Sequence, residues 1–331
     1  MKKKSLLLGV ITMLLGMLFL TGCGGEKSSG DKEYVIGVTQ IVEHPSLDAA
    51  FEGFKKALAE NGFKEGENVK FDVQLAQGDP SNSQTIAKNL VGDGVDLIFA
   101  NSTPSAQHAL NATKDIPIVF TSVTDPVGAE LVKSFDEPGE NITGTSDNHP
   151  EATSKTIFFM TDELEAKNIG IIYNSGEQNS VVQAEEVKKL VEEKGAKLVE
   201  ASVSTSAEVK QAAESLVGRV DAIYIPTDNT VVSALESVIS VANDKDIPLF
   251  VGELDSMKKG AVAASGFSYE DLGYETGLMA VKILKGEKKP SEINVEYPKN
   301  FKLMFNKAAA EAQGVEVQEA WSEMGEFYEA K

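Results

Sequence analysis

Residues 95–110 of the chain read VDLIFANSTPSAQHAL, and residues 220–235 read VDAIYIPTDNTVVSAL. Each segment starts with an apolar run of strand length, passes through a short polar stretch and ends in a pattern typical of a helix. A second strand pattern follows each of them, DIPIVF at 115–120 and DIPLFV at 246–251. Two copies of one strand–helix–strand plan predict that the chain contains two similar α/β halves.

The repeat extends towards the start of each half. YVIGVTQ at 34–40 and NIGIIYN at 168–174 are apolar strand patterns, and each precedes a helix pattern that ends in glycine. Ser46 is expected to cap the first of these helices. Alternating strands and helices indicate parallel sheets. The predicted fold class is therefore α/β, with two doubly wound parallel-sheet domains that face a ligand cleft across a hinge.

Polar loops follow the predicted strands in both halves. They read NSTPS at 101–105, TSVTDP at 121–126, YNSGEQNS at 173–180 and PTDN at 226–229. In open parallel sheets, ligands bind beyond the carboxyl ends of the strands. The segment at 134–152, SFDEPGENITGTSDNHPEA, has the Gly, Pro, Asn and Asp content of a linker between the halves. The sequence thus predicts that these loops meet at one cleft beside a hinge.

The N-terminal residues have the pattern of a lipoprotein signal peptide. Lys2, Lys3 and Lys4 precede an apolar run at 6–20 that is short for a membrane span, and LTGC at 20–23 resembles a lipobox. We predict a signal peptide at 1–22, lipidation of Cys23 and a flexible tether at 23–33. The protein would then be lipid-anchored at the extracytoplasmic face of the cell membrane. A plain signal peptide with an incidental cysteine is the alternative.

Composition excludes several classes of protein. A formal net charge of −20 argues against nucleic-acid binding, and one cysteine with three histidines argues against a disulfide framework or a zinc site. We expect no metal and no cofactor. Arg219 is the only arginine in the sequence. An anionic ligand group would therefore be held by hydroxyls and by backbone N–H groups at helix N-termini.

Several motifs together resemble one known family, the substrate-binding lipoproteins of tryptophan/tyrosine-type ABC importers, which have a type I periplasmic-binding-protein fold. The motifs are EHPSLDAA at 43–50, AQGD at 76–79, TPSAQ at 103–107, PIVFTSVTDPVGAELV at 117–132, NITGTSD at 141–147, IGIIYNSGEQNS at 169–180 and IPTDN at 225–229. The resemblance covers nearly all of the chain after the signal peptide. It implies a binding protein, not an enzyme, for a free L-amino acid such as tryptophan, tyrosine or phenylalanine.

The resemblance also implies a domain plan and partners. The chain would cross between lobes near Gly144, near Gly266 and near residues 296–306, which gives lobes of 34–144 plus 266–293 and 145–265 plus 294–331. The partners would be the permease and ATPase subunits of an ABC transporter, the membrane through the lipid anchor, and no nucleic acid. We expect a monomer that closes its lobes on the ligand. The C-terminal segment at 315–331 is expected to be a solvated helix with Trp321 at the periphery.

Candidate ligand-binding residues lie just past the predicted strands. Hydroxyls that could hold the amino-acid carboxylate belong to Ser102, Thr103, Thr121 and Ser122, although each could equally be an ordinary cap or turn residue. Asp147 and Asp228 could bind the ammonium from opposite domains. For Asp147 the alternative is an Asx-turn at the hinge, and for Asp228 it is a helix cap.

Neutral hydrogen bonds are expected from Asn179, Ser180 and Asn229 in the second half. Glu43 and His44, on the first loop, are expected to form a wall of the side-chain pocket, with His44 structural rather than ionic. Asp125 is interpreted as a turn residue, and Glu253 as a weaker candidate for the site.

Other functions are less consistent with the sequence. The chain contains no G-x-S-x-G, H-E-x-x-H or C-x-x-C motif, which argues against the corresponding enzymes. A repressor of this fold would need a DNA-binding motif where the signal-peptide pattern stands. A binding protein for a sugar, nucleoside or signalling molecule on the same fold stays open as the alternative.

Overall fold

The computed structural model describes residues 32–329, in which two β-sheets are each flanked by helices. The predicted signal peptide, Cys23 and most of the predicted tether lie outside the described residues. Between residues 32 and 329, no helix has the length and apolar character needed to cross a bilayer.

The first sheet has five parallel strands, and every residue of its third, fourth and fifth strands in sequence is buried. Its strands are β1 (Tyr34–Gln40), β2 (Val69–Leu75), β3 (Leu97–Asn101), β4 (Ile118–Val123) and β5 (Ile142–Ser146). They lie in the order β2-β1-β3-β4-β5. The helices between them are α1 (Pro45–Glu60), α2 (Pro80–Gly92) and α3 (Thr103–Ala112).

The second sheet has seven strands in the order β12-β11-β10-β9-β8-β6-β7. Its strands are β6 (Asn168–Asn174), β7 (Lys197–Val203), β8 (Ala222–Ile225), β9 (Leu249–Val251), β10 (Ala263–Gly266), β11 (Lys302–Phe305) and β12 (Glu326–Phe327). The helices that follow β5 are α4 (Ala152–Phe158), α5 (Gln178–Glu193), α6 (Val209–Leu216), α7 (Asn229–Ser233), α8 (Leu235–Asp244), α9 (Leu254–Gly260), α10 (Tyr269–Leu284) and α11 (Lys307–Ala312). A π-helical turn at Phe159–Glu163 extends α4, and short 3-10 turns occupy Ser206–Glu208, Pro290–Glu292 and Glu319–Glu323.

The two sheets repeat one topology. Strands β6 to β10 lie in the order β7-β6-β8-β9-β10, which matches β2-β1-β3-β4-β5 strand for strand. Only β11 runs antiparallel to its neighbour β10, and β12 then pairs with β11. The predicted α/β fold class with two doubly wound, largely parallel sheets is confirmed.

Helix α10 follows the second sheet in sequence but packs on α1 beside the first sheet. The two helix backbones approach closely because glycines face each other's main chain. A Cβ atom placed on Gly53 would lie 1.9 Å from the Glu270 carbonyl oxygen, and one on Gly273 would lie 1.8 Å from the Ala50 carbonyl oxygen. We call the first sheet with α1, α2, α3 and α10 the first lobe, and the second sheet with its remaining helices the second lobe. The predicted sequence limits of the lobes stay a prediction.

The expectation of a solvated C-terminal helix with a peripheral Trp321 is wrong. Trp321 lies in the 3-10 turn Glu319–Glu323 and has 0% of its surface exposed. Its ring packs against Phe159 and Phe305, with centroid separations of 4.9 and 5.3 Å. These two rings come from distant parts of the chain, so the local pattern of the C-terminal segment could not reveal its apolar partner.

Candidate functional site: the cleft between the lobes

The carboxyl ends of the parallel strands in both sheets meet at a cleft between the lobes, and side chains from the two lobes touch there. Ser46 Oγ of the first lobe donates to Glu253 Oε2 of the second at 2.6 Å. Gln183 Nε2 of the second lobe reaches Thr124 Oγ1 of the first at 3.5 Å. Because these side chains are buried, the described conformation has the lobes in contact around the cleft.

Two serines of the first lobe have strained backbones at the ends of their strands. The φ angles are +113° at Ser102 and +56° at Ser122, in a region that residues other than glycine rarely adopt. Such strain is concentrated at functional sites. Both hydroxyls are engaged within the protein, since Ser102 Oγ donates to Ser105 Oγ at 3.1 Å and Ser122 Oγ donates to Asn101 Oδ1 at 2.9 Å.

Thr121 belongs to a chain of buried hydroxyls whose direction can be assigned. Thr276 Oγ1 donates to the Leu272 carbonyl at 3.0 Å, which uses its only proton. Thr145 must therefore donate to Thr276 at 2.8 Å, and Thr121 must donate to Thr145 at 3.0 Å. Thr121 is left with acceptor lone pairs only, so it suits an ammonium better than the predicted carboxylate.

Among the four residues predicted to hold the carboxylate, Thr103 has a hydroxyl proton that is not donated within the described residues. It is the first residue of α3, and its buried Oγ1 has no hydrogen-bond partner within the described part of the chain. The first backbone N–H groups of a helix also favour an anion. Of the four predicted carboxylate holders, Thr103 has the geometry that this role needs.

Asp147 is buried, and one of its two carboxylate oxygens accepts no hydrogen bond within the described residues. Its Oδ2 accepts from Tyr269 Oη at 2.9 Å, whereas its buried Oδ1 has no partner among residues 32–329. Burial raises the pKa of this carboxyl to about 6, against the opposing effect of hydrogen bonds from Tyr269 and Thr124. A ligand ammonium at Oδ1 would supply both the missing donor and the missing countercharge.

Asp228 is the N-cap of α7. Its Oδ1 accepts from the Val231 backbone N–H at 2.7 Å, and its Oδ2 accepts from the Asn174 backbone N–H at 2.6 Å. Burial raises the pKa of this carboxyl, and hydrogen bonds from these amides and from Ser180 oppose the shift. This geometry favours the cap interpretation over direct contact with an ammonium, because each oxygen already has a backbone donor.

Asn179 of the second lobe has an acceptor that is free within the described residues. Its Nδ2 lies 3.3 Å from Ser180 Oγ and 3.4 Å from the Thr227 carbonyl, whereas its buried Oδ1 is unpartnered within residues 32–329. Asn229 Nδ2 donates to Glu177 Oε2.

The loop before α1 differs from the prediction at Glu43 and at Ser46. Glu43 is exposed, so the structure brings His44 rather than Glu43 into the cleft. Burial lowers the pKa of the His44 imidazole to about 3, which keeps the ring neutral. His44 occupies the N-cap position without a side-chain cap bond, and Ser46 is not the predicted cap because its hydroxyl reaches the other lobe. Asp125 does make the predicted turn by accepting from the Gly128 N–H.

Sequence reasoning missed two residues of the cleft. Tyr269, which positions Asp147, stands just after the second crossing between lobes, and no motif distinguishes it. Gln183 lies inside α5, where its side chain bonds the Thr227 backbone and also reaches the first lobe. The prediction considered the loops that directly follow the strands, so it did not include a residue inside the next helix.

Comparison with known proteins identifies the class. The family model described as ABC transporter substrate binding protein matches residues 35–326. The chain therefore belongs to this family of binding proteins, which act with an ABC transporter and are not enzymes, and its fold is that of the type I periplasmic binding proteins.

Three relatives are informative. A tyrosine-binding protein of Clostridioides difficile is 46% identical over 297 residues, which are 86% of each chain. A Streptococcus pneumoniae domain solved in complex with L-Trp is 34% identical with a TM-score of 0.84, and the match covers 90% of this chain and 100% of that one. A ligand-free, open substrate-binding protein of Clostridium difficile is 45% identical with a TM-score of 0.65, at the same coverage.

Proposed function

We propose that this protein is the extracytoplasmic substrate-binding component of an ABC importer and that it binds a free aromatic L-amino acid by closing its two lobes. The observation that supports the proposal concerns three of the buried polar atoms without partners in the described residues: Asp147 Oδ1, Thr103 Oγ1 and Asn179 Oδ1. Buried polar groups are almost always hydrogen-bonded, and a ligand between the lobes would give these three atoms their partners.

The chemistry of this set fits an α-amino acid. Asp147 Oδ1 and Asn179 Oδ1 are acceptors, and an ammonium offers three donors to them. Thr103 Oγ1 and the Thr103 backbone N–H at the start of α3 are donors, and they match a carboxylate. A neutral sugar would not need the buried charge of Asp147, since burial without a countercharge is costly.

The aromatic preference rests on the relatives. One relative is named for tyrosine and another was solved with L-Trp, at identities of 46% and 34%. Identities of this size over most of the chain support a shared ligand class. They leave the choice among tryptophan, tyrosine and phenylalanine to experiment.

Lobe closure is supported by the pattern of similarity. The chain is closer in sequence to the ligand-free, open relative, at 45% identity, yet closer in shape to the L-Trp complex, with TM-scores of 0.65 and 0.84 respectively. The cross-lobe contact of Ser46 with Glu253 agrees with a closed arrangement. A hinge motion that closes two domains around a ligand is a common response in binding proteins.

The remaining parts of the proposal concern location and partners. LTGC at 20–23 motivates lipidation of Cys23, which would hold the protein at the outer face of the cell membrane. The permease and ATPase subunits of the transporter would then be its partners, and we propose that the protein itself is a monomer.

Isothermal titration calorimetry of the purified full chain tests the ligand class. The panel contains L-tryptophan, L-tyrosine, L-phenylalanine and L-leucine, with D-tryptophan, ribose and adenosine as controls. We expect binding of at least one aromatic L-amino acid and none of its D-form, ribose or adenosine. Heat from ribose or adenosine together with no heat from any amino acid would overturn the proposal in favour of a sugar or nucleoside ligand.

A further inference from the structure

The Ser46–Glu253 contact joins the lobes at a fully buried point. Ser46 lies in the first turn of α1, and Glu253 is the residue immediately before α9. Ser46 Oγ donates to Glu253 Oε2 at 2.6 Å, and Ser256 Oγ donates to the same oxygen at 2.7 Å. The three side chains are at most 3% exposed.

Of the two hydrogen bonds to Glu253, one lies within the second lobe and the other joins the two lobes. Ser256 and Glu253 lie in the same lobe, so their bond is present whether the lobes are open or closed. Ser46 lies in the other lobe, so its bond forms only on closure. The Ser46 bond therefore contributes free energy to the equilibrium between open and closed forms, whereas the Ser256 bond contributes equally to both.

The Ser46–Glu253 contact involves none of the side chains that are proposed to bind the amino acid. The proposed ligand partners are Asp147, Thr103 and Asn179, and neither Ser46 nor Glu253 is bonded to any of them. His44, two residues before Ser46, is buried in the same loop.

We propose that Ser46 and Glu253 form a latch between the lobes, and that these positioning residues set ligand affinity by stabilising the closed conformation. The inference rests on the proposed function, because affinity is read with the proposed ligand. The bond is short and buried, at 2.6 Å from Ser46 Oγ to Glu253 Oε2, and this oxygen can accept it in either protonation state of the carboxyl. Its loss should reduce the closed population and raise the dissociation constant about tenfold.

The test compares Ser46→Ala with the matched variant Ser256→Ala, which removes a hydroxyl from the same Glu253 oxygen within one lobe. Calorimetry and stopped-flow dissociation are run with the aromatic amino acid that the wild type binds. We expect Ser46→Ala to weaken binding about tenfold, through faster dissociation at an unchanged association rate. Ser256→Ala should change affinity less than threefold. Circular dichroism melts establish that both variants are folded.

A second readout needs no ligand. Spin labels at Lys88→Cys in α2 and Lys210→Cys in α6, both exposed positions on opposite lobes, report the inter-lobe distance in the full chain carrying Cys23→Ala. The fraction of molecules with the short inter-lobe distance of the closed conformation should be larger in the protein with Ser46 than in Ser46→Ala. Equal populations, or equal affinities of Ser46→Ala and Ser256→Ala, would overturn the latch. Absence of any amino-acid binding by the wild type would instead overturn the proposed function, and the distance measurement would still decide the latch.

Discussion

Asp147 is the residue on which the chemistry of the cleft depends most. One of its oxygens is held by Tyr269, and the other is buried without a partner within residues 32–329. Replacement by asparagine keeps the size and the acceptor but removes the charge. We expect Asp147→Asn to weaken amino-acid binding roughly tenfold or more, because a hydrogen bond to a charged group contributes about 1.5–3 kcal/mol.

The expected effect of Asp147→Asn on folding has the opposite sign. Without ligand, the buried carboxyl lacks a countercharge and its pKa is raised to about 6. The unfolding midpoint of the ligand-free variant at pH 8 should therefore be equal to or higher than that of the wild type. A variant with normal affinity by calorimetry would exclude Asp147 as the ammonium partner.

Asp228 should behave in the reverse manner, because its two oxygens hold backbone N–H groups. We expect Asp228→Ala to lower the free energy of unfolding by about 1–2 kcal/mol, the usual cost of losing a helix N-cap. Urea unfolding measures this. Asp228→Asn should also lose part of this stability, because its amide nitrogen would face one of the two backbone N–H donors. Unchanged unfolding combined with a tenfold loss of affinity would restore the ammonium role predicted from sequence.

At the scale of elements, the α1–α10 contact fixes the first lobe. Helix backbones this close tolerate no side chain at Gly273, where a Cβ would lie 1.8 Å from the Ala50 carbonyl oxygen. We expect Gly273→Ala to destabilise the protein by about 2–3 kcal/mol, in the range measured for overpacked cores. Gly92→Ala, at the end of α2 with no atom within 4 Å of the new Cβ, is the control and should be neutral or stabilising. Similar thermal melts for the two variants would contradict this packing.

The sequence predicted the elements because their pattern is local and repeated. VDLIFA and VDAIYI are buried strands in equivalent places of the two sheets, and this repetition made the topology readable. The position of α10 is not local information, since a helix that follows the second sheet packs on the first. The family resemblance, rather than the local pattern, predicted that residues 266–293 join the first lobe. Trp321 was misplaced because its aromatic partners come from distant segments.

The sequence predicted where the cleft lies, but it could not predict which hydrogen bonds form there. Strand-end loops pointed to Thr103, Asp147 and Asn179, and their contact with a ligand stays a prediction. Whether a hydroxyl is free depends on its neighbours, and the Thr121–Thr145–Thr276 chain joins three elements that sequence spacing does not relate. Ser46 was expected to cap a helix, and only the closed arrangement of the lobes shows its bond to Glu253.

At the scale of the whole molecule, closure should depend on pH through Glu253. Burial raises the pKa of this carboxyl to about 7 in the closed form, and nearby Asp147 and Asp255 add to the shift. Ser46 and Ser256 oppose it, and Tyr269 lies in the same buried group. In the open form we expect a hydrated Glu253 with a pKa near its ordinary value of 4.5. Closing then takes up a proton between these two values.

The direction of the pH dependence follows from the difference between the Glu253 pKa values of the open and closed forms. The contribution of Glu253 to closure is fully present below pH 4.5 and is lost as the pH rises through about 7. Affinity for the amino acid should therefore increase as the pH falls from 8 to 6, with proton uptake visible as a buffer-dependent binding enthalpy. Glu253→Gln should flatten this dependence. An affinity that increases from pH 6 to pH 8 would contradict the assignment.

Attachment to the membrane is a property of the predicted lipid site. We expect Cys23→Ala to release the protein from the cell membrane or to leave it unprocessed with residues 1–22 attached. Fractionation with an alkyne-labelled fatty acid measures both outcomes. Normal labelling of the variant would show that Cys23 is not the lipidated residue.

The most direct test of the account is a crystal structure of the protein with the aromatic L-amino acid that it binds. We expect the ligand ammonium to lie about 2.7–3.2 Å from Asp147 Oδ1, with the carboxylate at Thr103 Oγ1 and the Thr103 backbone N–H. Ser46 should still donate to Glu253 across the closed cleft. A ligand bound elsewhere, or one whose ammonium does not contact Asp147 in a closed cleft, would contradict it.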